Sequence, residues 1–359
     1  MIIRLITLFL LSESIVLSGY CNSIHTEDSI PITYYDVFHS ANTWNPEEPE
    51  IVIIEFDFQE FFNNKHTDEQ IPARLSVYDE DSLLNIREIK LQPRGNFRRN
   101  HCSFPPLKLD FKMSDTNRVF LKDVNKIKLV THCRQSGKYE QYVLKEYLCY
   151  KIYNLLTDLS FRVHLLEIEY IDTGGKYEPF IKFGFLIETE ENLIKRLNVY
   201  PSKQWDISKK EIDFFNFHLM AVFQFMIGNN DWIISALHNI RLYQQKDIPG
   251  SKLVAVPYDF DYSGMVNAQY AIPDENLGIK NVRQRLYHGY CIPEDDFIPV
   301  FNQFLAKKDG IFNIINNFRF LDKRHKTKML NYTNDFYRII EEPKLVKKSI
   351  LDHCKKYGD

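Results

Sequence analysis

Three carboxylates and one carboxamide are the residues of this sequence best placed to do chemistry. Asp231 stands in the turn GNNDW after a long apolar stretch, and Asn239 opens the segment NIRLY. Asp259 and Asp261 follow the run KLVAVP in PYDFDYSG. Hard oxygen donors at the ends of consecutive elements suit a divalent cation. A carboxylate set apart from them suits proton abstraction from an acceptor. Each residue alone has a plain structural explanation, because Asn and Asp form turns readily. The informative feature is the whole order.

Cationic residues supply a possible counterpart. RGNFRRNH, 94–101, brings Arg94, Arg98, Arg99 and His101 close together, which suits either an anionic ligand such as phosphate or a solvated turn. Lys108 in PPLKLDF and Lys128 in KIKLV occupy strand-like segments, with Lys126 a weaker rival; each is either a ligand-binding lysine or an exposed strand lysine. Glu146, on the helical stretch that follows, is their natural partner, and a solvated salt bridge is the competing reading. His238 is a metal-ligand candidate, though a lone His is more often a hydrogen-bonded structural residue. Trp232 and Tyr262 read as packing.

The elements that must position these groups follow from periodicity. Alternation predicts strands at 50–59, 73–79, 86–92, 107–112 and 126–131, short enough in spacing for a meandering antiparallel sheet. Residues 140–156 change to a helical period with Leu144, Leu148, Ile152 and Leu155 in one stripe. Strands return at 163–171 and 179–187, joined by TGGK. After Glu188 the pattern is helical, beginning with ENLIKRL. The helix at 211–227 is apolar nearly all round, a core helix rather than a membrane span. A hairpin turning at QQKDIPGS interrupts this half, and residues 294–356 form an amphipathic helical tail.

The chain has 359 residues, 44% hydrophobic and 26% charged, with 27 Phe and 21 Tyr, a globular composition with ample core. Its net charge of −3 argues against a broad nucleic-acid footprint. MIIRLITLFLLSESIVLSGYC reads as a signal peptide over residues 1–20, implying a periplasmic, cell-surface or extracellular protein. The six cysteines show no metal-binding spacing. Cys102 and Cys133 flank neighbouring strands and are either a pair or buried free thiols.

The order helix, Asp231, Asn239, hairpin, Asp259 is that of protein kinases, where the corresponding groups act as base and metal ligands. GNNDW, HN and PYDFDYSG together resemble the CotH (spore-coat) type of atypical kinases. The resemblance extends to RGN, to YVLKEYLCYKIYNLL and to FGFLIETEENLIKRL, and covers about residues 50–265. It implies an α+β, two-lobed protein-kinase-like fold, with a β-rich N-lobe over 21–188 and a mostly helical C-lobe over 189–359. It further implies Asp231 as catalytic base, Asn239 and Asp259 as metal ligands with Asp261 able to share that role, and Arg94, Gly95 and Asn96 as a nucleotide-proximal turn. Lys108 or Lys128 with Glu146 would bind the nucleotide, and Glu188 would fall at the linker near an adenine. Asn239 lies eight residues after Asp231, so IISAL must bulge outward for Asn239 to reach a shared ion.

The function expected on this basis is an exported phosphotransferase moving the γ-phosphoryl of ATP, with Mg2+ or Mn2+, to a protein, glycan or small-molecule acceptor. The alternative is a non-catalytic pseudokinase-like binding or surface-assembly protein. Metal-dependent hydrolysis finds no His/Asp ligand spacing to support it.

Overall fold

The computed structural model describes residues 48–79, 82–111, 121, 124–204, 207 and 210–354. The expected signal peptide lies outside the described residues. Seven strands come first, interrupted by helices: β1 (Glu50–Phe56), α1 (Phe58–Asn63), β2 (Ile71–Asp79), β3 (Ser82–Pro93), α2 (Asn96–His101), β4 (Leu107–Phe111), β5 (Lys126–Val130), α3 (Gly137–Leu156), β6 (Val163–Asp172) and β7 (Phe180–Ile187). Then follow α4 (Glu190–Leu197), β8 (Val199–Ser202), α5 (Phe214–Ile227), β9 (Ile240–Gln245), β10 (Val254–Pro257), α6 (Ile298–Ala306), α7 (Lys308–Asn317), α8 (Lys323–Glu341) and α9 (Pro343–Val346).

The seven strands close into a barrel in the order β1-β2-β3-β4-β5-β7-β6, and β6 returns to pair in parallel with β1. The other pairings are antiparallel. Period-2 alternation fills the interior: Val52, Ile54 and Phe56 from β1, Leu107, Leu109 and Phe111 from β4, and Leu166, Ile168 and Tyr170 from β6 share one core. The outer face of β6 and β7 is apolar as well. Leu165, Phe185 and Ile187 belong to a second core with α3, whose Tyr147 and Tyr150 rings meet Phe185.

That second core contains α5, buried on every side from Asn216 onward, and the antiparallel sheet β10-β9-β8. Asp213 caps the start of α5 by accepting from the Asn216 amide at 2.8 Å. Gly228 ends the helix at φ +64°, where an added Cβ would lie 2.0 Å from the Tyr332 hydroxyl, so only glycine fits this stop.

This architecture overturns the expected two-lobed kinase-like fold with a mostly helical C-lobe. The sheet is closed, its first and sixth strands run parallel, and the second half is arranged around a three-stranded sheet as well as helices. Alternation tells which face of a strand is buried; it does not tell whether the end strands meet. Among the described residues no helix is long and apolar enough to cross a membrane.

Candidate functional site

Three elements deliver one acidic cluster. The chain leaves β3 through Arg94 and Gly95 into α2, whose single buried side chain is Arg98. α3 presents Glu146, only 2% exposed, to the same point. Beyond the end of β10 the backbone turns at Asp259, φ +64°, and returns Asp261 inward. Asp259 and Asp261 therefore lie past the strand and not on one face of it. Carboxylate oxygens of Glu146, Asp259 and Asp261 all lie within 4.8 Å of one another.

Arg98 bridges two of them. Its Nε donates to Asp261 Oδ2 at 2.8 Å, and a terminal nitrogen reaches Glu146 Oε2 at 2.9 Å. Burial opposes the Arg98 charge, but Asp261, Tyr270 and Glu146 overcome it and hold the guanidinium above its ordinary pKa. Burial pushes Asp261 up to about 8 against the pull of Arg98, with Asp259 and Glu146 adding to the rise. Glu146 is likewise raised, first by burial and against Arg98. Three acids around one bridging arginine carry excess negative charge that a proton or a divalent cation would relieve. Hard oxygens at this spacing fit Mg2+ or Mn2+.

Asp231 is held separately. Its backbone amide donates to Asn229 Oδ1 at 3.2 Å, and its carboxylate lies 2.9 Å from His238 Nε2 and 3.0 Å from Asn239 Nδ2. The expected bulge is present: Ile233 and His238 exchange backbone hydrogen bonds across a tight turn, which brings Asn239 back to Asp231. The Asn239 amide nitrogen is engaged by Asp231, so a metal role would fall to its side-chain oxygen. The Asn239 carbonyl accepts from the Tyr258 amide at 3.0 Å, tying this loop to the residue before Asp259.

Beside the acidic cluster lies a cavity of about 400 Å³ bordered by Arg94, Lys108, Lys126, Lys128 and Arg241, with Asp259 on its wall. Phe161, Ile187 and Tyr258 give it an apolar side. Arg94 Nε is buried and has no hydrogen-bond partner among the described residues. Lys108 and Lys128 are register partners on β4 and β5, so both face this cavity. Partial burial, then Arg94 and Arg241, lower the Lys128 pKa. Among the described residues no lysine pairs with Glu146; Arg98 takes that place. Glu188 borders the cavity, but its carboxylate is clamped by Arg196 at 2.7 Å and by the Arg162 amide at 3.0 Å, a structural ion pair. Asn96 begins α2, and Arg99 turns away to Asp68.

Sequence reasoning did not anticipate Arg241, Phe161 or Tyr150, whose hydroxyl accepts from the Asp259 amide at 2.8 Å. The signals were there: Tyr150 is one helical turn beyond Glu146, and Arg241 is two residues beyond Asn239. Compared with known proteins, the chain matches no family model and no curated sequence.

Proposed function

We propose that this protein is a phosphotransferase that moves the γ-phosphoryl group of ATP to an acceptor hydroxyl with the help of Mg2+ or Mn2+, with functional loops of the CotH kinase type carried on a closed barrel. The observation that carries the reading is a cavity whose cations outnumber its acids, Glu188, Glu190, Glu191 and Asp259, and where the buried Arg94 Nε has no hydrogen-bond partner among the described residues. Linked phosphates suit Arg94, Lys108, Lys128 and Arg241, and a flat base suits the wall of Phe161, Ile187 and Tyr258. Asp259, with Asp261 and Glu146, would hold the cation, which neutralises charge on the phosphates. Asp231, steadied by Asn239 and His238, would take the acceptor proton as the hydroxyl oxygen attacks phosphorus and ADP leaves. Two disulfides, Cys102–Cys133 and Cys291–Cys354, support an exported protein.

A second reading, a binding or surface-assembly protein without turnover, is favoured by one observation. Arg98 already pairs with both Glu146 and Asp261 and occupies carboxylate oxygens that a metal would need. Incubation of the purified protein with γ-labelled ATP and either metal, beside an Asp231→Ala control, separates the two. Label transfer that the control lacks supports the phosphotransferase, and saturable nucleotide binding with no transfer supports the binding protein. Absence of nucleotide binding with both metals overturns the phosphotransferase and leaves the binding or surface-assembly reading.

A further inference from the structure

We propose that a second cavity, at the N-terminal end of α3, binds a small soluble anion built as a chain of linked phosphates, held by Lys145, Arg283, Arg324 and Lys328. The cavity measures about 780 Å³ and shares no lining residue with the one described above. Its cations outnumber its acids, Glu140 and Asp322. Lys145, Arg283, Arg324 and Lys328 all line it, and none makes an ion pair among the described residues.

The acids on its wall are already engaged. Glu140 accepts from the Phe183 amide at 2.9 Å and lies 3.7 Å from Lys182, and Asp322 is paired with His325 at 2.9 Å. Lys145 is only 4% exposed and donates to the Val266 carbonyl, a neutral partner. A buried ammonium whose hydrogen-bond partner is a neutral carbonyl is costly unless an anion arrives. The first turn of α3 adds to the field: Gly137 and Lys138 border the cavity, and Ser136 gives the helix start no side-chain cap. Four cations spread over α3, α8 and the segment before α6 span more than one phosphate, which favours a chain over a single group.

The linked phosphates could be inorganic or belong to a nucleotide, and the test separates the sources. Titration calorimetry is run without divalent metal, at about 0.15 M chloride so that diffuse attraction is screened, on the full-length chain carrying Lys128→Ala and Arg241→Ala to weaken the first cavity. Inorganic tripolyphosphate is expected to bind saturably at one site, and Arg324→Ala with Lys328→Ala, both exposed, to weaken it at least tenfold. Lys145→Met, checked for folding by circular dichroism, should weaken it similarly. ATP in the same background identifies the source: tighter binding than tripolyphosphate points to a nucleotide, weaker binding to the inorganic chain. No saturable binding, or affinity unchanged by Arg324→Ala with Lys328→Ala, overturns the proposal.

Discussion

At the scale of single residues, the site separates one carboxylate that is free to act from three that are crowded. Asp231 is 41% exposed at its side chain and held by two neighbours, whereas Asp261 and Glu146 are buried against Arg98. Asp231→Ala is therefore expected to lower transfer by about 10²- to 10⁴-fold while leaving ATP affinity nearly unchanged, as a radiolabel assay and a binding titration would show. The corresponding change at Asp259 should be to Asn, because Asn tolerates the positive φ that Ala resists. It should weaken ATP binding in the presence of Mg2+ and leave metal-free binding unchanged. The order of acidic residues made Asp231, Asn239, Asp259 and Asp261 legible in the sequence. The Arg98–Asp261 pair was not, because 163 residues separate its partners. Lys145 gives a titration with a definite sign. Its pKa falls from 10.5 to about 7 on folding, so the unfolded chain holds an extra proton between those values. Stability should rise with pH from about 7 to 10.5 by a few kcal/mol, and Lys145→Met should flatten that rise in denaturant titrations.

At the scale of elements, the short helix α2 carries the cationic end of the site on very little packing. It has six residues and one buried side chain, and its C-cap is Cys102, bonded to Cys133 with Cα atoms 4.6 Å apart. Cys133 in turn receives the Phe104 amide at its carbonyl, so the disulfide fixes α2 to the segment leading into α3. Replacing both cysteines with serine should cost about 3–4 kcal/mol from the denatured state and should also weaken nucleotide binding, since Arg94 and Arg98 lose their anchor. The same change at Cys291 and Cys354 should lower the melting temperature and leave nucleotide affinity intact. Equal loss of affinity in both variants would count against a specific role for α2. The longer strands and helices were legible from their periods. Helices α1 and α2 were not, because six residues are too few to show a 3.6-residue period, and β8 was not, because its pairing with β9 depends on a distant partner.

At the scale of the whole molecule, closure distinguishes this protein from the kinase-like arrangement its loops suggest. Strand β7 is the link, pairing with β5 on one side and β6 on the other, and β6 then reaches β1. The sequence shows each of these strands and leaves the joining of β1 to β6 unseen, since that pairing sets Glu50 against Leu166 and Phe56 against Asp172 across all the intervening strands. Gly184 tests the link directly. It pairs with Leu166, and an added Cβ would stand 2.9 Å from the Val130 carbonyl oxygen and 2.9 Å from Ile168 Cδ1. The carbonyl belongs to the backbone of β5 and cannot swing aside, so relief requires β7 to move away from its neighbours. Gly184→Ala should cost about 1–3 kcal/mol, seen as a lower melting temperature. In a closed barrel the loosening of β7 should travel: hydrogen exchange should quicken together at β6 and at the β1 amides paired with it. Quickening confined to β7, with β1 unchanged, would mean that β1 and β6 hold together independently of the link and that the barrel does not open as one unit.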